Sequence, residues 1–228
     1  IEAPKRAISQ TIIPLISQAW KNNNLIELKN IYQKTSINQQ LIGSFLFCLL
    51  WLSIDNIYQI IPKDEIFSTG KYIVLFIGIT KLLDMTFGVN SELIAYSKYY
   101  QFTLYSTFAL AILSITTNYF FINMMGINGA ALASLLSILI FNIIKYIFIW
   151  NKFQLHAFSI HTLKLFTIAL ILTLLLSLLP SNKHFIADIF IKSTLFGSSY
   201  IILVYYSKSS IEYNQIIDSL LHKITRRP

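Results

Sequence analysis

The stretch KYIVLFIGITKLLDMTFGVNSEL, residues 71–93, decides the reading of this chain. Crossing a hydrocarbon core roughly 30 Å thick takes about 20 mostly apolar residues of helix, and this run supplies them. Yet Lys81 and Asp84 stand near its centre. At about 1.5 Å rise per residue, Lys81 falls roughly 15 Å from either end, close to the bilayer midplane. A charge there costs about 2.5–3.5 kcal/mol on insertion scales, so it faces protein or a water-filled cavity. Spacing i, i+3 sets both side chains on one helix face, close enough to neutralise each other. A pair of this kind marks a substrate or ion path; the bland alternative is an ion pair that only locks two helices together.

The rest of the chain has the same character. Of 228 residues 55% are hydrophobic and only 12% charged, about half the charge of a soluble domain. The predicted architecture is an all-α polytopic membrane protein. Spans are expected over 38–61, 71–93, 100–123, 127–150, 162–179 and 185–206, with Asp55 and Asn56 at an interface and Lys192 snorkelling outward. Residues 1–20, with Pro4 and Pro14, read as the end of a membrane helix whose beginning lies upstream, so the chain is expected to be a C-terminal fragment. Between them lies NNNLIELKNIYQKTSINQQ, with Leu25, Leu28, Ile31, Tyr32 and Thr35 at helical spacing and Asn24 and Glu27 forming a capping pair. Residues 21–37 are therefore read as an amphipathic linker on the membrane surface, and 207–228 as a tail.

Charge orients the spans. Lys21, Lys29, Lys34, Lys98, Lys145, Lys152, Lys164, Lys208, Lys223, Arg226 and Arg227 collect on one side, and Lys63, Lys71, Lys183 and Lys192 on the other. Eleven against four puts the linker and the C-terminus of a multi-pass membrane protein on the cytoplasmic side. The fourth span carries a stripe of small residues, Gly126, Gly129, Ala130, Ala133, Ser134 and Ser137, which lets helix backbones approach closely. Asn118 and Asn142, inside apolar runs, are expected to bond across helices.

Three segments in order resemble one family. GINGAALA, Gly126 to Ala133, is similar to a helix-opening turn of the polysaccharide exporters, the lipid-linked oligosaccharide branch of the multidrug/oligosaccharidyl-lipid/polysaccharide flippase superfamily. KLLDMTFGVNSELIAYS resembles that family's lysine–aspartate helix, with Gly88, Asn90 and Ser97. APKRAISQTIIPLISQAW resembles the end of its eighth helix. The resemblance covers residues 1 to about 155, and the last two spans look like the additional helices of many exporters. It implies the second half of a twelve- to fourteen-helix fold whose halves are related by a pseudo-two-fold axis around a central cavity. It further implies, as partners, membrane lipids, the missing N-terminal half and a polyprenyl-diphosphate-linked oligosaccharide, flipped outward for O-antigen or capsule-type polysaccharide synthesis, with polymerase machinery nearby. Arg6 would then lie inside the eighth helix facing the cavity, where a lipid diphosphate needs a cation. With Lys81, Asp84 and Asn90 it makes up the expected pathway. Asp84 either keeps Lys81 charged or carries a coupled ion or proton.

Other chemistry finds less support in the residues. His156, His161, His184 and His222 fall in loops or the tail without a second ligand at metal spacing, so no metal is expected. Without a nucleotide-binding glycine-rich loop or paired carboxylates, no cofactor and no enzyme activity are expected. The net charge of +8 is not arranged as a basic stripe with interleaved aromatics, which argues against nucleic acid. Cys48, alone within an apolar run, reads as a small core residue. Two alternatives stay open: a cation-coupled multidrug antiporter of the same superfamily, using Asp84, and a membrane polysaccharide polymerase or ligase, disfavoured by the short outward loop at 62–70.

Overall fold

A computed structural model describes residues 2–60, 70–179 and 184–225. The calls that fall on Ile1, the 62–69 loop with Lys63, the Pro180-Ser181-Asn182 stop, Lys183, and Arg226 and Arg227 lie outside these residues. The described residues form eight helices and no strand: α1 (Glu2–Lys21), α2 (Leu25–Ile60), α3 (Lys71–Thr86), α4 (Asn90–Ala95), α5 (Gln101–Phe153), α6 (Ile160–Ser177), α7 (Phe185–Ser207) and α8 (Ile211–Thr225). Four of them, α2, α5, α6 and α7, are long and apolar enough to cross a membrane.

Helix α2 is the spine. Asn24 caps it, accepting from the Glu27 amide at 3.1 Å while its own amide group donates back to the Glu27 carboxylate at 3.0 Å. The amphipathic segment and the first span are one helix of 36 residues, about 54 Å long. The apolar face read as membrane-bound is instead buried in protein: Leu28 and Tyr32 are fully covered, packing with Ile16 and Ala19 of α1, Leu93 of α4 and Ile149 of α5. The second half of α2 packs through Cys48 and Leu52 against Leu165 and Ala169 of α6 and Phe196 and Tyr200 of α7. Polar contacts fix this second bundle: the Gln40 amide donates to the Thr162 carbonyl at 3.0 Å, and the Ser44 and Tyr200 hydroxyls bond at 2.7 Å. Between lipid-facing helices, where apolar burial gives no net drive, such bonds contribute about 0.6 kcal/mol each.

Two glycines shape the helices, one at the turn the sequence reads between two spans and one inside a run it reads as a single straight span. At Gly126 (φ 58°, ψ −135°) the backbone takes a conformation reserved for glycine, and α5 folds back on itself. Contacts bracket that point. Thr117 and Ser137 share a hydrogen bond at 2.7 Å, and the Phe102 and Phe148 rings stack with centroids 3.8 Å apart. Gly129 lies so close to the first arm that an added Cβ would come within 1.8 Å of the Phe121 carbonyl oxygen. Gly129, Ala133 and Ser137 are buried one turn apart facing that arm, while Ala130 is half-buried beside them. The arms, 101–125 and 127–153, are each long enough to span a bilayer.

At Gly88 (φ 65°) the 71–93 span breaks. Helix α3 stops at Thr86 and α4 starts at Asn90, so the two charges occupy the last turns of α3 rather than the middle of a straight helix. The break is buried against α2: a Cβ on Gly88 would meet the Ser36 backbone at 3.2 Å, and the Ser36 hydroxyl donates to the Thr86 carbonyl. Irregular backbone within a membrane bundle survives only where protein re-satisfies it in this way.

Candidate functional site

The broken helix α3–α4 sits between α1, α2 and the second arm of α5, and a line of polar groups runs through it. Asp84 is the hub. One carboxylate oxygen is paired with the Lys5 ammonium of α1, and the other accepts from the Asn142 amide of α5 at 3.1 Å. Asn142 stands about 24 Å from the hairpin turn and about 16 Å from Phe153 along its arm, so Asp84 is held within the span. Asn90, just past the break, accepts from the buried Tyr32 hydroxyl at 2.6 Å and reaches toward the Asn142 carbonyl. One turn after Asn142, Lys145 is buried, donates to Ser91 Oγ at 2.7 Å and lies 3.5 Å from the Phe141 ring centroid.

Sequence spacing pairs Lys81 with Asp84; the structure does not. Lys81 reaches Glu2 and Asp84 reaches Lys5, both on α1, so the two charges bind one neighbouring helix instead of each other. On a helix the i, i+3 direction allows a contact, but two complementary charges opposite, at Glu2 and Lys5, satisfy both side chains at once. Arg6 turns away to an exposed pair with Glu2 at 3.1 Å, and its neighbour Lys5 is the cation that enters the cluster. Asn90 joins the line as a hydrogen-bonding member, while Gly126, Gly129, Ala130 and Ala133 belong to the hairpin far along α5.

Several members escaped the sequence reading. Lys145 is assigned there to a membrane surface but is buried, and Lys192, read as snorkelling, is buried beside Asp188 at 2.8 Å. Each side thus loses one surface lysine and the asymmetry keeps its direction. The signal for Lys145 was available: Asn142 and Lys145 are one turn apart in an otherwise apolar run. Asn118 bonds back to the Ser114 carbonyl of its own helix rather than across helices.

The two helices that flank the site, α1 and α2, also carry unused polar capacity. Ser9, one turn after Lys5, and Gln39, one turn after Ser36, are buried with hydrogen-bonding atoms that have no partner among the described residues. Orphan groups of this kind call for water or a ligand. Among the described residues no three His, Cys, Asp or Glu side chains come together to hold a metal ion. Comparison with protein-family models, curated proteins and solved structures gave no match.

Proposed function

We propose that this chain is one half of a membrane transporter that flips a polyprenyl-diphosphate-linked oligosaccharide from the cytoplasmic to the outer leaflet of a bacterial inner membrane. The carrying observation is the interhelical line Lys5–Asp84–Asn142–Asn90–Tyr32, charged and polar groups gathered on a broken helix within apolar spans. Ionisable residues at such depth are expensive, and they line substrate or ion paths far more often than they serve as plain struts. Broken helices likewise place binding groups inside transporters. The resemblance of three ordered segments to polysaccharide exporters supplies the substrate class, and the second half of the cavity would come from an N-terminal half.

In this reading Lys5, Lys145 and Lys81 offer cations to a diphosphate or hold the field against which it moves. Asp84, bonded to Lys5 and Asn142, is the group that a substrate phosphate or a coupled cation would have to displace. An ion-coupled antiporter would use the same carboxylate, so the substrate, not the residue, separates the two readings.

The test follows the observed partners. Asp84→Ala and Lys5→Ala should each abolish surface polysaccharide export in cells, with the protein still accumulating in the membrane. The double variant Lys5→Ala with Asp84→Ala, which leaves no unpaired charge, should remain inactive. Export restored in the double variant would show that the pair only locks α1 to α3 and would remove the transport role.

A further inference from the structure

We propose that the Lys21 end of the molecule carries a binding site for the headgroup phosphate of an anionic phospholipid, distinct from the Asp84 line. A cavity of about 580 Å³ opens where the end of α1, the turn into α2, the 96–98 turn and the end of α5 meet. Lys21, Lys98 and Lys152 line it, and among the described residues no aspartate or glutamate does. The three come from distant parts of the chain. Lys98 and Lys152 share one aromatic neighbour, their ammonium groups lying 5.2 and 5.7 Å from the Tyr99 ring centroid.

These lysines differ from the cations of the Asp84 cluster. In the Asp84 cluster Lys5 and Lys81 each hold a carboxylate and Lys145 a hydroxyl, whereas Lys21, Lys98 and Lys152 have no carboxylate partner among the described residues. Like charges drawn together by the fold with nothing to neutralise them are set up for an anion. The remaining wall argues for a lipid rather than a free ion. Trp20, Tyr96 and Phe153 face the same cavity, and Trp20 is anchored by its indole N–H to the Leu93 carbonyl at 3.1 Å. Aromatic rings beside lysines at a helix end fit the glycerol and upper acyl region with the phosphate above. Basic pockets between helices on the cytoplasmic side take anionic headgroups by this chemistry. The inference uses the charge asymmetry that assigns this end to the cytoplasm but not the Asp84 transport role, so export assays and the lipid test fail independently.

Trp20 reports on the site. With Trp51→Phe and Trp150→Phe as background, the chain is placed in phosphatidylcholine vesicles containing either brominated phosphatidylglycerol or brominated phosphatidylcholine, since bromine quenches tryptophan at contact range. Phosphatidylglycerol should quench about twofold more strongly at equal content. The preference should vanish in Lys21→Gln/Lys98→Gln/Lys152→Gln, persist when the same three lysines become arginine, and persist in the control Lys29→Gln/Lys164→Gln/Lys223→Gln. Equal quenching by the two lipids in the parent overturns the proposal. So does an equal loss in the control triple, which would mean diffuse surface attraction. Erasure of the preference by millimolar inorganic phosphate at constant ionic strength would assign the cavity to soluble phosphate and overturn the lipid assignment. If the glutamine triple misfolds by circular dichroism, Lys98→Gln alone, at an exposed turn, should still weaken the preference, and no weakening counts against the site.

Discussion

Two of the carboxylate–lysine pairs that hold these helices are built differently. Asp84 and Lys5 belong to α3 and α1, meet across a helix interface and keep 30% and 24% of their side chains exposed. Asp188 and Lys192 belong to one helix, α7, at i, i+4, and are 4% and 9% exposed, with the Asn56 amide of α2 donating to Asp188 at 2.7 Å. The first pair is only part-covered and joins two separate helices, so it can exchange partners without unfolding either helix. The second is sealed by its own helix and by α2. Burial and chain separation, not the presence of charge in a span, distinguish a group that can work from one that holds a bundle together.

The largest effect should come from breaking the sealed pair. Asp188→Ala removes the carboxylate that meets the Lys192 ammonium and accepts from the Asn56 amide at a buried site, and losing one partner of a buried pair costs about 3–5 kcal/mol. Unfolding in detergent, followed by circular dichroism, should show a large drop in midpoint. Replacing both charges by apolar residues of similar size, Asp188→Leu with Lys192→Met, should recover most of the loss. A double variant as unstable as the single would mean that the pair does more than satisfy itself.

Next in size is the same measurement on the open pair. Asp84→Ala removes a contact between part-exposed side chains rather than a sealed one, so its stability cost should be about 1 kcal/mol or less, well below that of Asp188→Ala. The comparison sharpens when export is measured alongside: Asp84→Ala should lose activity at small stability cost, and Asp188→Leu with Lys192→Met should keep it. A stability loss at Asp84 equal to that at Asp188 would erase the distinction between the two sites.

Much of this was legible in the sequence, and the misses share a cause. Apolar runs, the turn at Gly126 and the Asn24–Glu27 cap depend on neighbours close in the chain, so periodicity and turn chemistry reveal them. That Lys81 and Asp84 need protein partners was legible from their depth. Their partners were not, because Glu2 and Lys5 lie 79 residues away and only the packing of α1 on α3 brings them opposite. The same holds for Lys145, which looks free to snorkel until the fold puts Ser91 of another helix against it. Lys192 is a different miss: Asp188 stands four residues before it on the same helix, a spacing at which the two can pair. The break at Gly88 was hidden because TFGVN is apolar enough to continue a span; what makes the turn tolerable is Ser36 of another helix.

The smallest effect belongs to a third carboxylate–lysine pair, outside the spans, which extends the comparison toward water. Lys34 of α2 and Glu212 of α8 meet at 3.0 Å with side chains 56% and 37% exposed. Ser210 helps dock the same helix, accepting from the Tyr213 amide at 3.1 Å and donating to Asn38 at 2.7 Å. Partial burial pushes the Glu212 carboxyl up, but hydrogen bonds from Lys34, its own amide and Asn38 outweigh it and hold the group below its ordinary 4.5. A depressed carboxyl favours the docked helix at every pH above the undocked value, and that contribution fades as pH falls through the docked one. A spin label on Ser219 should therefore show constant mobility from neutral pH down to about 4.5 and rising mobility only below it. Glu212→Gln should raise mobility slightly at neutral pH, by an amount corresponding to about 0.2–1 kcal/mol, and flatten the acid transition. A transition centred well above pH 4.5 would mean that the carboxyl is destabilised at the contact. The tail would then be held by Ser210 and apolar packing, and the graded series from sealed to open to solvated pairs would lose its third member.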